Sequence, residues 1–241
     1  MQNKKKTLEI CLTPELYLHR LTEGTNHSVV IVDILRATTT IVTALEQGVA
    51  KIIPVADIEQ LVRMKKDGYL VASERDGLQS DFADFGNSPL QFMNPKVKNT
   101  TIAFSSTNGT RALTFVSTVE HVFFGAFSNC SALSRKLEQM QEDIVVICAG
   151  WKQGFSLEDT VFAGLLCEKL SPKFTLTGDS AYAALSIWKD AKSDLSAYAS
   201  KTEHYERLHL LKMHESIPYC FQMDTCRAVP KLADGVIVLN D

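Results

Sequence analysis

The chain lacks what several common protein classes need. Its 241 residues contain no apolar run approaching the roughly 18–20 residues that span a bilayer. The basic start, MQNKKK, leads into no apolar segment, because Glu9, Pro14 and Glu15 intervene. No secretory leader is read there, and a cytoplasmic setting is expected. Net charge is small: 25 Lys and Arg face 28 Asp and Glu, a formal charge of −3. Nucleic-acid binding, which wants a concentrated basic face, is not expected. No two of Cys11, Cys130, Cys148, Cys167, Cys220 and Cys226 form a CxxC pair, and most sit in apolar runs. They read as reduced, buried thiols rather than disulfides or a zinc site. The histidines show no ligand spacing beside them. The common phosphate loops, GxxxxGK[ST], GxGxxG and Cys-x5-Arg, are missing as well.

What is present is apolar and alternating. Hydrophobic residues make up 45% of the chain, enough to bury a large core. Short runs rich in Val and Ile, at 8–12, 29–33, 51–55, 69–73, 100–105, 121–126, 143–149 and 235–239, read as strands. Helical patterns fall between them, near 37–48, 57–67, 109–118, 130–140, 158–170, 179–192 and 202–213. Asp57, Asn129 and Asp179 stand where N-caps would. Strands apolar on both alternations imply a sheet covered on both faces. The expected fold is therefore α/β: a three-layer α/β/α arrangement around a mostly buried, mixed sheet. No sharp linker divides it, so residues 1–241 read as one domain. Segments near 29–67 and 100–140 echo each other as β-α-β-α units, each with an Arg-Ala pair after its first strand (Arg36-Ala37, Arg111-Ala112), which suggests an internal duplication. The stretch 74–98 is irregular, but its Phe82, Phe85, Leu90 and Phe92 argue that it packs.

Ligands of parallel α/β sheets sit at the carboxyl ends of strands, beside helix N-termini. Four such ends carry polar clusters here: Asp33 and Arg36; Glu74 and Arg75; the run SSTNGTR from Ser105 to Arg111; and the run from Ala149 to Asp159 that closes on Glu158 and Asp159. Arg36, Arg75 and Arg111 offer forks that match phosphate, sulfonate or carboxylate. Thr107, Asn108, Gly109 and Thr110 precede a helix and offer backbone N–H groups to an anion. Asp33, Glu158 and Asp159 supply the hard oxygens that Mg²⁺ prefers. Together they point to phosphoryl chemistry, where charge neutralisation and positioning dominate. Each also has a structural reading. Asp33 fits an N-cap, TNGT a plain turn, SLED a capping box of Ser156 with Asp159, and GNSP (Gly86–Pro89) a turn. A non-catalytic anion-binding protein would use the arginines and TNGT without the carboxylates.

The pieces VVIVDILRATTTIVTAL, SERDG, FGNSP, TNGTRAL, FSNCSAL, VVICAGWKQGFSLEDTVFAG and YCFQMDTCRAVP, in this order, resemble the 2-phosphosulfolactate phosphatase family over about Val29 to Pro230. The resemblance implies a Mg²⁺-dependent phosphatase acting on 2-phospho-3-sulfolactate, a step towards coenzyme M, in a homodimer. It implies Asp33, Arg36 and Asp159 as catalytic residues. Arg75, Asn87, Ser88, Thr107, Asn108, Gly109 and Arg111 would bind substrate, and Asp33, Glu74, Glu158 and Asp159 the metal. Attack by water and attack by a carboxylate, Asp33 or Asp159, both fit; so does a different small phosphorylated hydroxy acid. Beyond about residue 200 the chain departs from the family pattern: it has ESIP where an Asp is expected shortly before YC. The C-terminal contribution to the site is left open.

Overall fold

A computed structural model describes residues 5–19 and 26–240. The chain runs β1 (Thr7–Cys11), α1 (Pro14–Leu18), β2 (His27–Val32), α2 (Ala37–Glu46), β3 (Lys51–Pro54), α3 (Ile58–Lys66), β4 (Leu70–Arg75) and β5 (Leu78–Gln79). After two short 3-10 turns come β6 (Thr101–Ser105), α4 (Gly109–Thr114), β7 (His121–Gly125), α5 (Cys130–Met140), β8 (Asp143–Cys148), α6 (Leu157–Leu170) and β9 (Thr175–Thr177). The last part holds α7 (Asp179–Ala191), α8 (Leu195–Ala199), α9 (Glu203–Leu210), α10 (Ile217–Cys220), β10 (Pro230–Ala233) and β11 (Val236–Leu239).

The strands form one mixed sheet in the order β5-β4-β6-β3-β11-β10-β7-β2-β8-β1-β9. The expected α/β class is what the structure has. Strands β7, β2, β8, β1 and β9 run parallel, as do β3, β6 and β4. The β10–β11 hairpin lies between these blocks, antiparallel to β7 on one side and to β3 on the other. Its place gives the two echoing units the same pairing: β2 lies between β7 and β8, and β6 between β3 and β4. Each unit's first strand is thus flanked by the two strands that follow the other unit's helices.

Alternation along β2 shows the three layers. Val30 and Val32 enter one core with Phe127, Leu133 and Leu137 of the α5 side, the α6 face and Trp188 of α7. Val29 and Ile31 enter the other with Ala37, Ile41 and Leu45 of α2 and Ala112 of α4. Each such fully buried large side chain contributes roughly 1.5–3 kcal/mol of transfer free energy. Phe127 and Phe162 meet edge-on with centroids 5.2 Å apart. All six cysteines are buried in these two cores.

All eight strands and seven helices expected from the pattern are found, with shifted ends. Glu74 and Arg75 are the last residues of β4 rather than residues beyond it. Asp57 caps α3 by accepting from the Glu59 and Gln60 amides. Gly178, not Asp179, is the N-cap of α7. Asn129 precedes α5, but its side chain ties Ala126 N, Phe124 O and Ala228 O instead of capping. Phe85 and Phe92 of the irregular stretch are buried and face each other at 5.2 Å. The unanticipated strands are short: β9 has three residues, and β10 begins on a proline. Among the described residues no helix is long and apolar enough to cross a membrane.

Candidate active site

Helix α2 is buried on every side, and its threonines explain how. A buried hydroxyl needs an acceptor. Thr38 donates to Asp33 O at 2.9 Å, Thr39 to Ile34 O at 2.9 Å, Thr43 to Thr39 O at 2.8 Å and Thr40 to Asn87 O at 3.2 Å. Thr38 also accepts from Asp33 N at 3.0 Å. The threonine run thereby fixes the turn between β2 and α2 that carries Asp33 and Arg36. The Leu35–Arg36 peptide in this turn is cis.

Asp33, Glu74, Glu158 and Asp159 come together, each at most 7% exposed. They arrive from the ends of β2, β4 and β8, the last through the first turn of α6. Asp159 accepts from Ile34 N at 2.8 Å and from Gly150 N at 3.2 Å, tying the turn after β2 to the loop after β8. Ser156 accepts from Asp159 N, but the reciprocal half of the expected capping box is missing because the Asp159 carboxylate is spent on those two amides. Asp33 Oδ1 accepts from Ala37 N at 3.2 Å, while Oδ2 takes no hydrogen bond from the described residues. Glu74 accepts from Gly77 N. Glu158 pairs with His204 Nδ1 at 3.3 Å, and the His204 ring stacks on Trp151 at 4.0 Å.

This crowding has an electrostatic signature. Burial pushes the Asp33 carboxyl up to about 6, opposed by His204 and the Ala37 amide and reinforced by Glu74 and Glu158. Burial, then Glu158 and Asp33, hold Asp159 well above the ordinary carboxylate range. The four carboxylates are the hard-oxygen donors of the site. Among the described residues no three His, Cys, Asp or Glu side chains converge closely enough to hold an ion by themselves. An ion here would need water or ligand oxygens to complete its shell, which is how Mg²⁺ is usually held.

Arg36 is 4% exposed and makes no ion pair among the described residues. Its Nη2 donates to Gly77 O at 3.1 Å and its Nη1 reaches Ser216 Oγ at 3.4 Å, with Met213 Sδ 3.6 Å away. Burial lowers its pKa, while Cys220, Glu74 and Asp33 support the charge. Gly77 has φ +87°, and a Cβ there would stand 2.8 Å from Leu211 Cδ1, so only glycine allows this close turn. Arg36 forms the floor of a cavity of about 330 Å³ with Asn87, Ser88, Gln91, Lys212 and Ser216.

The remaining expected residues have distinct places. Gly109 lies against the cluster: a Cβ on it would sit 2.9 Å from Ala37 Cβ and 3.4 Å from Asp33 Oδ2. The start of α4, just after β6, therefore reaches the turn after β2. Thr107 is exposed, and the Asn108 side chain makes no cap bond. Arg75 ties strand ends, donating to Glu74 O at 2.7 Å and Ser105 Oγ at 2.8 Å. The arginine that shares the cavity with Asn87 and Ser88 is Arg36, not Arg75. Arg111 turns to Glu15 of α1 and over the Phe115 ring. His204, Lys212, Met213 and Ser216 were missed. Their segment reads as a solvated helix in sequence, and only its broken periodicity after 210 signals otherwise.

Comparison with known proteins shows the family of the chain. The family model described as 2-phosphosulpholactate phosphatase matches residues 11–235. A probable 2-phosphosulfolactate phosphatase of Caldanaerobacter subterraneus subsp. tengcongensis is 36% identical over 215 residues, 87% of this chain and 89% of that protein. Proteins of the same name from Thermotoga maritima and Clostridium beijerinckii are 35% and 34% identical, each over 88% of this chain and over 92% and 91% of their own lengths.

Proposed function

The chain belongs to the 2-phosphosulpholactate phosphatase family, and we propose that it hydrolyses the phosphomonoester of 2-phospho-3-sulfolactate, with Mg²⁺ as its cation. The observation that carries this reading is the meeting of four buried carboxylates with a buried arginine that has no carboxylate partner. Burying these carboxyls together is costly unless a cation joins them; burial first, and the neighbouring acids after it, hold Asp33 and Asp159 above the ordinary carboxylate range. Carboxylates of the set Asp33, Glu74, Glu158 and Asp159, with water and substrate oxygens completing the shell, would hold Mg²⁺, which when bound supplies charge neutralisation and Lewis acidity. A cytoplasmic homodimer serving a coenzyme M type pathway extends the reading from the family resemblance.

The chain's own residues have separable tasks. Arg36 neutralises charge that grows on the phosphoryl oxygens. The backbone at Asn108, Gly109 and Thr110, brought against Asp33 by the glycine, adds N–H donors beside it. Asp159 positions the turn bearing Asp33. Asp33, with one oxygen unengaged, either orients the attacking water or attacks phosphorus itself. Acid-quenching during turnover of a ³²P-labelled ester separates the two, since only direct attack leaves label on the protein.

Phosphate release from 2-phospho-3-sulfolactate, beside phospholactate and p-nitrophenyl phosphate, with Mg²⁺ and then with EDTA, tests the whole reading. Turnover that needs Mg²⁺ and favours the sulfonate supports it. Activity on phospholactate alone keeps the chemistry and discards the substrate. No turnover on any ester defeats the enzyme reading and leaves an anion-binding protein.

A further inference from the structure

The cavity over Arg36 is lined by a set of polar groups separate from the four carboxylates. Two of its buried polar side chains are short of partners: Arg36 has no ion pair among the described residues, and Asn87 Oδ1, on a residue 5% exposed, has no hydrogen bond. The remaining polar lining is neutral, except at the exposed edge formed by Lys212 and Glu215. Gln79 and Gln91 bond to each other at 3.1 Å, and Gln91 also accepts from Gly86 N, so both are occupied.

Lys212 is unusual in its backbone. It follows α9 with φ +58°, its N–H bonded to His209 O at 3.0 Å and that of Met213 to Leu208 O at 2.9 Å. Glycine or asparagine is usual at such a helix end. A lysine is held there instead, at the edge of the cavity, with no ion pair among the described residues. We propose that Lys212 is the specificity-determining residue of this cavity and receives the sulfonate of the substrate while Arg36 faces the phosphoryl group. This rests on the phosphatase reading above. A sulfonate is ionised at every relevant pH and offers three oxygens, so a hydrogen bond from a cation holds it more strongly than one from a neutral hydroxyl. Glu215 on the same edge opposes any anion, so the charge of Lys212 decides the outcome there.

The test is the ratio of kcat/KM for 2-phospho-3-sulfolactate to that for p-nitrophenyl phosphate, measured with the full chain. Lys212→Gly removes the cation and suits the left-handed backbone, so loss of folding does not cloud the result. The ratio is expected to fall at least tenfold, through KM for the sulfonate ester, and Lys212→Arg is expected to restore most of it. Glu215→Gln is expected to raise the ratio twofold or more. A ratio within threefold of wild type for Lys212→Gly overturns the assignment. A wild-type chain that hydrolyses neither ester defeats the phosphatase reading itself, and the assignment with it. A wild type that prefers the sulfonate, beside a Lys212→Gly variant that keeps this preference, defeats the assignment alone.

Discussion

Two regions meet at Arg36, and they are built in opposite ways. On one side lie Asp33, Glu74, Glu158 and Asp159, four buried acids delivered at strand ends; backbone amides fix Asp33, Glu74 and Asp159, and His204 pairs with Glu158. On the other lies a cavity walled by the irregular stretch at 86–91 and by the C-terminal segment 212–216. The acid side buries carboxyls at a cost that its hydrogen bonds and His204 only partly offset. The cavity side holds two cations, Arg36 and Lys212, and neutral groups, against a single acid, Glu215, on its exposed edge. The contrast teaches that the fold tolerates each region because the ligands proposed for it carry the missing charge: a divalent cation for the acids, an anion for the arginine.

Removing an acid breaks the comparison most severely. Asp33→Asn is expected to lower kcat by about 10³-fold, the upper range for one well-placed group, while raising stability. The sign follows from the shift. The Asp33 carboxyl titrates near 6 in the fold and near 3.9 in an unfolded chain. The folded state therefore holds the extra proton in that window, and stability is lost as pH rises from about 4 to about 6. Above that window the variant should be more stable than wild type, on the order of 2–3 kcal/mol or about 4–10 °C, when no divalent cation is added. Thermal melts in EDTA at pH 4 and pH 7.5 check it: the gain must be present at the higher pH and absent at the lower. Added Mg²⁺ should raise the wild-type melting temperature and not that of Asp33→Asn. Equal melting at both pH values would mean that the cluster carries no such cost.

Arg36→Lys probes the other side. Lysine keeps the charge but cannot span Gly77 O and Ser216 Oγ with one fork. We expect kcat/KM to fall about 10²-fold and stability to drop by roughly 1–3 kcal/mol if Gly77 O is left unpaired. Here both quantities fall, whereas on the acid side they move oppositely. Gly109→Ala should act between the regions. Its Cβ would stand 2.9 Å from both Ala37 Cβ and Ser106 Oγ, so α2 or α4 must shift. Overpacking of this kind costs about 1–3 kcal/mol, and a displaced Asp33 should cost about tenfold in kcat. Wild-type kcat in a folded Gly109→Ala protein would separate the start of α4 from the chemistry.

The same contrast explains what was legible in the sequence. Asp33, Glu158 and Asp159 follow apolar runs, and a run of strand formers fixes where its end lies in an α/β sheet. Their convergence could be read without coordinates. The threonines of α2 were legible only as a composition; their hydrogen bonds to the Asp33 turn depend on the helix being buried all round. The partners of Arg75 and Arg111 were not legible, because a long cationic side chain reaches whichever acceptor the packing offers: Ser105 for one, Glu15 for the other. Lys212 and Ser216 were hidden by distance. They lie 180 residues or so from Arg36 along the chain, on a segment whose charges look like those of any solvated helix.

Ser216 gives the smallest and sharpest test of that hidden wall. Its hydroxyl accepts from Arg36 Nη1 at 3.4 Å and donates to Met213 O at 3.1 Å. The first contact is long, so its loss should cost under about 1 kcal/mol of stability. Its effect on function depends on what Arg36 does. If the arginine is held ready for an anion, Ser216→Ala lets the guanidinium swing towards Glu74 and Asp33, whose charges already act on it. KM should then rise about threefold with kcat nearly unchanged, since a rotation of this kind costs orientation before binding rather than stabilisation of the transition state. Ser216→Thr, which keeps the hydroxyl, should restore the wild-type KM. An unchanged KM in Ser216→Ala would mean that Gly77 O alone orients Arg36, and that the C-terminal segment merely covers the cavity instead of shaping its charge.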